Sequence, residues 1–577
     1  MSMKILLGVA LVAAALFLGG LGQPPFVDPP EGFHAAIARD MLHLGDWVTP
    51  HVNGVRYFDK PALLYWLMAG AFALLGVSEG AARLPSALPA IGVAVATAWL
   101  GLRLGSLRLG LVAGLIVAAN LEIFLFARLV KPDLLFVLFI LLAFGAFIEA
   151  YTGGGRRWLL VCAVSLALAV LAKDVLGALG PLAVIALFLV LVRERDVAAR
   201  FVPWAGVAIF LAVALPWYLL VEWSNRGFLW YTVVDNHVLN FTRSRVFPDE
   251  DVPLSALEFV GVTAAGFFPW SLALPWAVWR GLRDPRDNPW ARPWLLLALW
   301  TVVVLGFFTL SPFKLPHYGL PAFPAMALLV AKLWEDVLDR APGAPSPRTL
   351  LLPAAVLLLA LAAVSFLAWQ GRLPLPGGAP LTVDLAARNM AARGGHEMPF
   401  MPLLQLRPVF GWLALIFGLG GLGAALGLAL RRPMVGLGAL LATMIAFLPV
   451  TVEGFALFAK SRSVRTLAEA IALRANPLDV LAHEGALENS ASWLLSLDRP
   501  VAIVNGLQSN LAFGATFPEA REVFWDARRL REVWRGERRV FLLSAAGPEQ
   551  SVMRDLPPAE VHLLAHTGGR WLYSNRP

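Results

Sequence analysis

Cysteine is almost missing from this chain of 577 residues: Cys162 stands alone, inside an apolar run. No intrachain disulfide can form, and the count leaves the redox compartment open. Charge is scarce too. Asp, Glu, Lys and Arg make up 15% of the chain and hydrophobic residues 58%, against roughly 25% and 45–50% in ordinary globular proteins. That balance excludes a water-soluble protein with a single core. There is no nucleotide-binding glycine loop, no Cys/His set at metal-site spacing, and no repeat of the solenoid kind. The net charge of +8 does not imply a nucleic-acid partner, because Lys and Arg in a membrane protein collect in cytoplasmic loops.

What is abundant fits the bilayer. A transmembrane helix needs about 20 apolar residues, and thirteen candidates lie near 3–22, 84–102, 109–127, 134–151, 158–172, 175–192, 201–222, 258–279, 293–310, 317–333, 349–369, 407–430 and 434–457. Twenty-one Trp and 35 Phe suit so many crossings. The first candidate could be a cleaved signal peptide, but no small-x-small site precedes Gln23, so an uncleaved helix is expected.

Threading the spans with the amino terminus inside puts Arg103 and Arg108, Arg156 and Arg157, Arg193, Arg195 and Arg200 in cytoplasmic loops. The same side receives Arg280, Arg283, Arg286 and Arg292, then Lys332, Arg340 and Arg348, then Arg431 and Arg432. Every such loop carries at least two cations, the positive-inside pattern. Acids, His, Tyr and single Lys residues fall on the other side, in 23–83, 131–133, 173–174, 222–253, 311–317 and 370–406. Chemistry that needs such groups belongs on the external face.

From about Lys460 charge density rises and short β-like runs appear at 501–506, 539–544 and 560–565, with a helical pattern at Val464–Arg474. The expected fold is therefore a mainly α polytopic membrane protein of about thirteen spans, residues 1–459. Its large external loop is 23–83, and 460–577 form a small extracytoplasmic α/β domain.

The external loop is the densest mixture of acids, bases and aromatics in the amino-terminal half. Pro29 and Pro30 favour an extended entry, and Glu31 suits a helix first turn. A short helix through Phe33, Ile37 and Met41 is expected to lie in the interface plane. Gly45-Asp46 and Asn53-Gly54 signal turns. Residues 61–75 are apolar but short for a span, which suggests an interfacial or re-entrant helix. Together these elements would hold Asp28, Glu31, Tyr57, Asp59 and Lys60 at the membrane edge.

The run Asp46-Trp-Val-Thr-Pro, Asn53-Gly, Tyr57-Phe-Asp-Lys-Pro, Leu64-Tyr-Trp, Gly76-Val-Ser-Glu and Ala82-Arg-Leu-Pro-Ser closely resembles the first external loop of bacterial ArnT-like glycosyltransferases. These belong with the protein mannosyltransferase-related GT-C enzymes. The likeness extends more weakly to Lys131-Pro-Asp133, Leu171-Ala-Lys173, Phe268-Pro-Trp-Ser and Lys314-Leu-Pro-His-Tyr318. It implies a polyprenyl-phosphate sugar as donor, an acceptor such as lipid A or another envelope molecule, and transfer with inversion at the periplasmic face of the bacterial inner membrane. A protein O-mannosyltransferase-like enzyme is the alternative within the class, and a flippase for lipid-linked sugars the alternative outside it. A transporter should show internal symmetry and polar residues at mid-bilayer, whereas ionisable residues here gather at external span ends.

Such chemistry requires cations for the departing phosphate and a carboxylate for the acceptor proton. By the resemblance, Lys60 and Lys314 serve the phosphate, with Tyr57 and Tyr318 as hydroxyl donors and His237 and His317 as further contacts. Glu31, Asp133 and Asp28 are the candidate catalytic acids, Glu31 ahead of Asp28. Family members often carry an Asp-Glu pair where this chain has Pro30-Glu31, and an Arg where it has Phe33. The resemblance implies no definite cofactor. A divalent metal ion, with Asp59 and His237 as O and N ligands, is the one candidate, although their spacing does not demand it.

Overall fold

The computed structural model describes the chain except residues 30, 195, 197–199, 248–250, 284–290, 374–387 and 390–402. The expected first-turn position of Pro30, the cations Arg195 and Arg286, and most of the 370–406 loop lie outside the described residues. Each of the thirteen apolar segments contains helix. Seven helices are long and apolar enough to cross a membrane, or eight if the bent pair Leu107–Ala118 and Leu121–Ala127 counts as one. The molecule is thus a multi-pass membrane protein.

Several expected spans differ in detail. The second starts earlier, at Glu79, where Ser78 accepts the Ala81 N–H as its cap. The third bends by 57°, and Asn120 caps the new helix through the Ile123 N–H. The segment 258–279 is broken into Ala256–Gly266, a 3-10 turn at Trp270–Leu272, and Leu274–Arg283. The division between 158–172 and 175–192 corresponds to separate helices, Arg157–Ala172 and Leu176–Leu191.

The external loop folds into the helix Glu31–Leu44, a hairpin pairing His51–Val52 with Val55–Arg56, and the helix Leu63–Leu75. The first of these helices does not lie on a surface: every residue from Glu31 to Met41 is buried. The carboxyl-terminal region covers it. There six strands form one sheet in the order Phe524–Trp525, Ala502–Val504, Val480–Glu484, Val540–Ser544, Arg570–Ser574, His562–Thr567. The first four are parallel neighbours and the last two pair antiparallel. Three of these strands match the β-like runs read from sequence; Val480–Glu484, Phe524–Trp525 and Arg570–Ser574 were not among them.

The covering contact is polar and close. Asn53, at a φ of 53° in the hairpin turn, donates to Val501 O at 2.7 Å and accepts the Val501 N–H at 2.9 Å. Arg39 donates to Leu494 O at 2.5 Å. Asp28 accepts the Ser492 N–H at 3.1 Å and also contacts the Ser492 hydroxyl. A Cβ on Gly32 would sit 2.3 Å from Ser492 N, so only glycine lets the helix and the sheet region approach this closely.

Candidate active site

Between the external loop, the helix ends and the carboxyl-terminal region lies a cavity of about 1320 Å³. Much of its wall is apolar, formed by Leu121, Leu125, Phe136, Ile140, Phe144, Trp300, Val303 and Phe307. The lining also includes Asp59, Lys60, Lys131, Asp133, Lys173, His237, Arg245, His317 and Tyr318. A long hydrocarbon chain ending in an anion is the ligand shape such a lining matches.

Each polar group is held by local structure. Lys60 Nζ sits 2.6 Å from Asp59 Oδ2 and donates to Asp59 O at 3.3 Å, while Asn236 donates to the other Asp59 oxygen at 3.2 Å. Burial pushes the Asp59 carboxyl up, but Lys60 and Arg245 outweigh it and hold it below the usual carboxylate range. Asp133, in the first turn of Asp133–Glu149, accepts from Lys173 Nζ at 2.6 Å, with His317 Nε2 at 3.6 Å. The Lys173 ammonium also lies 5.1 Å above the Tyr318 ring. His237 donates from Nδ1 to Thr232 O at 2.7 Å, which leaves Nε2 for another partner.

Lys131 stands apart. Its backbone N–H goes to Ser86, but its ammonium makes no hydrogen bond or ion pair among the described residues. Burial lowers its pKa below the ordinary lysine value, as expected of a cation with no anion in contact. The sequence marked Lys131 and Lys173 only as motif members; their positions at helix ends were the available signal. His34 and Arg245 line the cavity too and carried no sequence signal. His34 Nδ1 is 2.9 Å from the Tyr65 hydroxyl, and burial lowers the His34 pKa to about 3.

Two expected residues are placed elsewhere. Glu31 is fully buried and does not line the cavity. Its carboxylate accepts four N–H groups: Arg83 Nε at 2.9 Å and Nη2 at 2.7 Å, Val27 N at 3.0 Å and Val130 N at 3.0 Å. Arg83, equally buried, also donates to Leu21 O, Pro24 O and Pro25 O. A base has to reach its proton, and this carboxylate reaches only its own ties. Lys314 is likewise absent from the lining. Its ammonium donates to Thr309 O at 3.0 Å and Ser311 O at 2.6 Å, closing the carboxyl end of the helix Arg292–Leu310 as a cation there should. Tyr57 and Asp28 do line the cavity, but Tyr57 is 1% exposed and Asp28 is spent on Ser492.

For a divalent ion, the donor set is thin. Asp59 and His237 both face the cavity, yet no three His, Cys, Asp or Glu residues converge among the described residues. Asp59 is moreover occupied by Lys60 and Asn236, so the pair does not fit a resident metal site.

Comparison with known proteins agrees with this layout. Residues 28–232 match the family model "Dolichyl-phosphate-mannose-protein mannosyltransferase". The undecaprenyl phosphate-alpha-4-amino-4-deoxy-L-arabinose arabinosyl transferase of Aeromonas salmonicida is 29% identical over 327 residues, which is 56% of this chain and 58% of the relative. The enzyme of the same name from Pseudomonas paraeruginosa is 30% identical over 378 residues, 62% of this chain and 64% of the relative. The chain thus spans a little over half the length of these relatives. The crystal structure of ArnT from Cupriavidus metallidurans bound to undecaprenyl phosphate superposes with a TM-score of 0.79 at 24% identity, covering 99% of this chain and 97% of that one. The apo form of that ArnT gives the same TM-score. Residues 28–232 are therefore similar to the dolichyl-phosphate-mannose-protein mannosyltransferase family model, within a chain that resembles the aminoarabinosyl transferases in sequence and has the fold of ArnT over nearly its whole length.

Proposed function

We propose that this chain is an integral membrane glycosyltransferase that moves a sugar from a polyprenyl phosphate, such as undecaprenyl phosphate, to an oxygen of an envelope acceptor such as lipid A. The observation that carries the reading is the cavity itself, whose lining joins a large apolar wall to three lysines. The isoprenoid tail would occupy the apolar part and the phosphate the cationic end. The aminoarabinosyl transferases named above supply the sugar and donor class.

In the reaction the acceptor oxygen attacks the anomeric carbon, and the carbon–oxygen bond to phosphate breaks. The bonding pair leaves on the phosphate oxygen, so negative charge grows there. Lys60, Lys131 and Lys173 are the cations available to stabilise it, a preorganised electrostatic contribution. Lys131 is the best placed of these to take the phosphate directly, because Lys60 and Lys173 already hold carboxylates at 2.6 Å. Asp133 orients Lys173, and His237 offers Nε2 to the donor.

The reading includes an orientation: amino terminus cytoplasmic, cavity and carboxyl-terminal region periplasmic, in the inner membrane. The cation-rich loops beginning with Arg103 and Arg108 support it. It also includes the division at about residue 460 between a membrane domain and the sheet region.

The test is to incubate purified protein with undecaprenyl-phosphate aminoarabinose and lipid A, and to follow the lipid A mass. Transfer of one sugar per acceptor site supports the reading. Donor binding with no transfer to any lipid or protein acceptor would favour a flippase.

A further inference from the structure

The cavity has a carboxylate that the external loop does not supply. Glu488 lies in the 3-10 turn Leu487–Asn489 of the carboxyl-terminal region, and with Asn489 and Asn510 it lines the cavity. It is 8% exposed. Its Oε1 accepts the Asn510 N–H at 2.6 Å, whereas Oε2 is buried with no hydrogen-bond partner among the described residues. A buried carboxylate oxygen without a donor is unfavourable unless something supplies one. Glu488 lines the cavity, so a ligand held there is the available donor.

The turn is held in place from two sides. Arg570 Nε donates to Asn489 O at 3.1 Å, and Nη2 of the same guanidinium donates to Asp28 O at 3.3 Å. Glu488 is thereby tied to the start of the external loop, although more than 400 residues separate them in sequence. Other cavity carboxylates near the lysines are committed. Asp59 holds Lys60, Asp133 holds Lys173, Asp28 holds Ser492, Asp251 accepts from Asn389, Glu258 pairs with Arg388, and Asp174 accepts the Leu176 N–H. Glu122 also has two unpartnered oxygens; it sits at the helix bend against Gly266, within reach of the Asp133 charge, and is the rival carboxylate.

We propose that Glu488 is the base that takes the proton from the acceptor hydroxyl, so that the carboxyl-terminal region contributes a catalytic residue to the cavity. The inference rests on the glycosyltransferase reading above. As the acceptor oxygen bonds to the anomeric carbon and the phosphate leaves with the electron pair, the hydroxyl proton passes to Glu488 Oε2 and then to solvent.

Burial, helped by the neighbouring Asp251 and Asp59 charges, raises the Glu488 carboxyl to about 7 against the hydrogen bonds from its own backbone N–H and that of Asn510. That is the range in which a general base is most effective at neutral pH. The charged groups around it are Asp59 and Lys60 of the external loop, Asp28 at its start, Asp251 before the Ala256 helix, and Arg570 of the adjacent strand.

The experiment uses the full-length protein with undecaprenyl-phosphate aminoarabinose and lipid A. Glu488→Gln keeps the Asn510 hydrogen bond, so folding is retained. It should slow transfer by about 100-fold or more and leave the donor KM within about threefold. It should also remove the acid limb of the kcat/KM profile near pH 7, and Glu488→Asp should recover part of the rate. Wild-type rates in Glu488→Gln overturn the proposal while leaving the transferase reading intact. So does a slow variant that keeps the acid limb, which would mark a structural role, or loss of that limb in Glu122→Gln instead. No transfer by the wild-type protein overturns both.

Discussion

Glu31→Gln separates a structural carboxylate from a catalytic one. The native carboxylate balances the fully buried Arg83 and satisfies the Val27 and Val130 N–H groups. Glutamine keeps the shape but has one acceptor oxygen where four donors converge. Each oxygen takes one Arg83 N–H and one main-chain N–H, so in either orientation the amide nitrogen faces both. Breaking a buried pair by removing one charge costs about 3–5 kcal/mol, and an orphaned main-chain donor costs about 1–3 kcal/mol. Allowing for overlap, a loss of about 4 kcal/mol is expected, close to a thousandfold in the folding equilibrium. SDS titration of purified protein, followed by Trp fluorescence, would measure it. Glu31→Gln, Arg83→Met and the double variant make a cycle, and a coupling of about 3 kcal/mol is expected. Transfer per folded molecule should stay within about threefold of wild type. A Glu31→Gln protein as stable as wild type but more than 100-fold slower would refute the structural assignment and return Glu31 to the chemistry.

Other perturbations probe the cavity and its cover. Lys131→Gln and Lys60→Ala should each lower kcat/KM by about 100-fold, the scale of one lost electrostatic contact in a preorganised site, with melting temperature almost unchanged; wild-type kinetics in both would remove the phosphate assignment. Lys314→Met should do the reverse, destabilising by about 1–3 kcal/mol through two unsatisfied carbonyls while activity per folded molecule persists. Burial raises the Asp28 carboxyl to about 7, outweighing Ser492 and Arg570. Because the folded value exceeds the unfolded one, its contribution to stability is complete below about pH 4 and is lost as pH rises through 7. Asp28→Asn should therefore gain in melting temperature relative to wild type from pH 4 to 8, and a constant difference would argue against that titration. An impermeant thiol reagent should label a cysteine introduced at exposed Leu478 on intact cells with a permeabilised outer membrane; protection would reverse the proposed orientation.

The membrane class, the positions of the apolar helices and the cation bias of alternate loops were all legible in the chain. Hydropathy and helix length are properties of contiguous residues, so composition alone determines them. The Tyr57-Phe-Asp-Lys-Pro segment likewise pointed to Lys60, and the structure sets Lys60 in the cavity beside Asp59. Accessibility was not legible. Glu31 looked like a base because an acid in a first turn beside a membrane is ambiguous until its partner is known, and the partner, Arg83, comes 52 residues later. Lys314 looked like a phosphate ligand for the same reason, until its ammonium was found on the carbonyls of the preceding helix end. Glu488 gave no signal at all, since its place beside the cavity depends on Arg570 and Asp28 meeting across the fold. Which charges are spent on holding the protein together and which face a ligand is a property of long-range packing. Only the tertiary structure decided it.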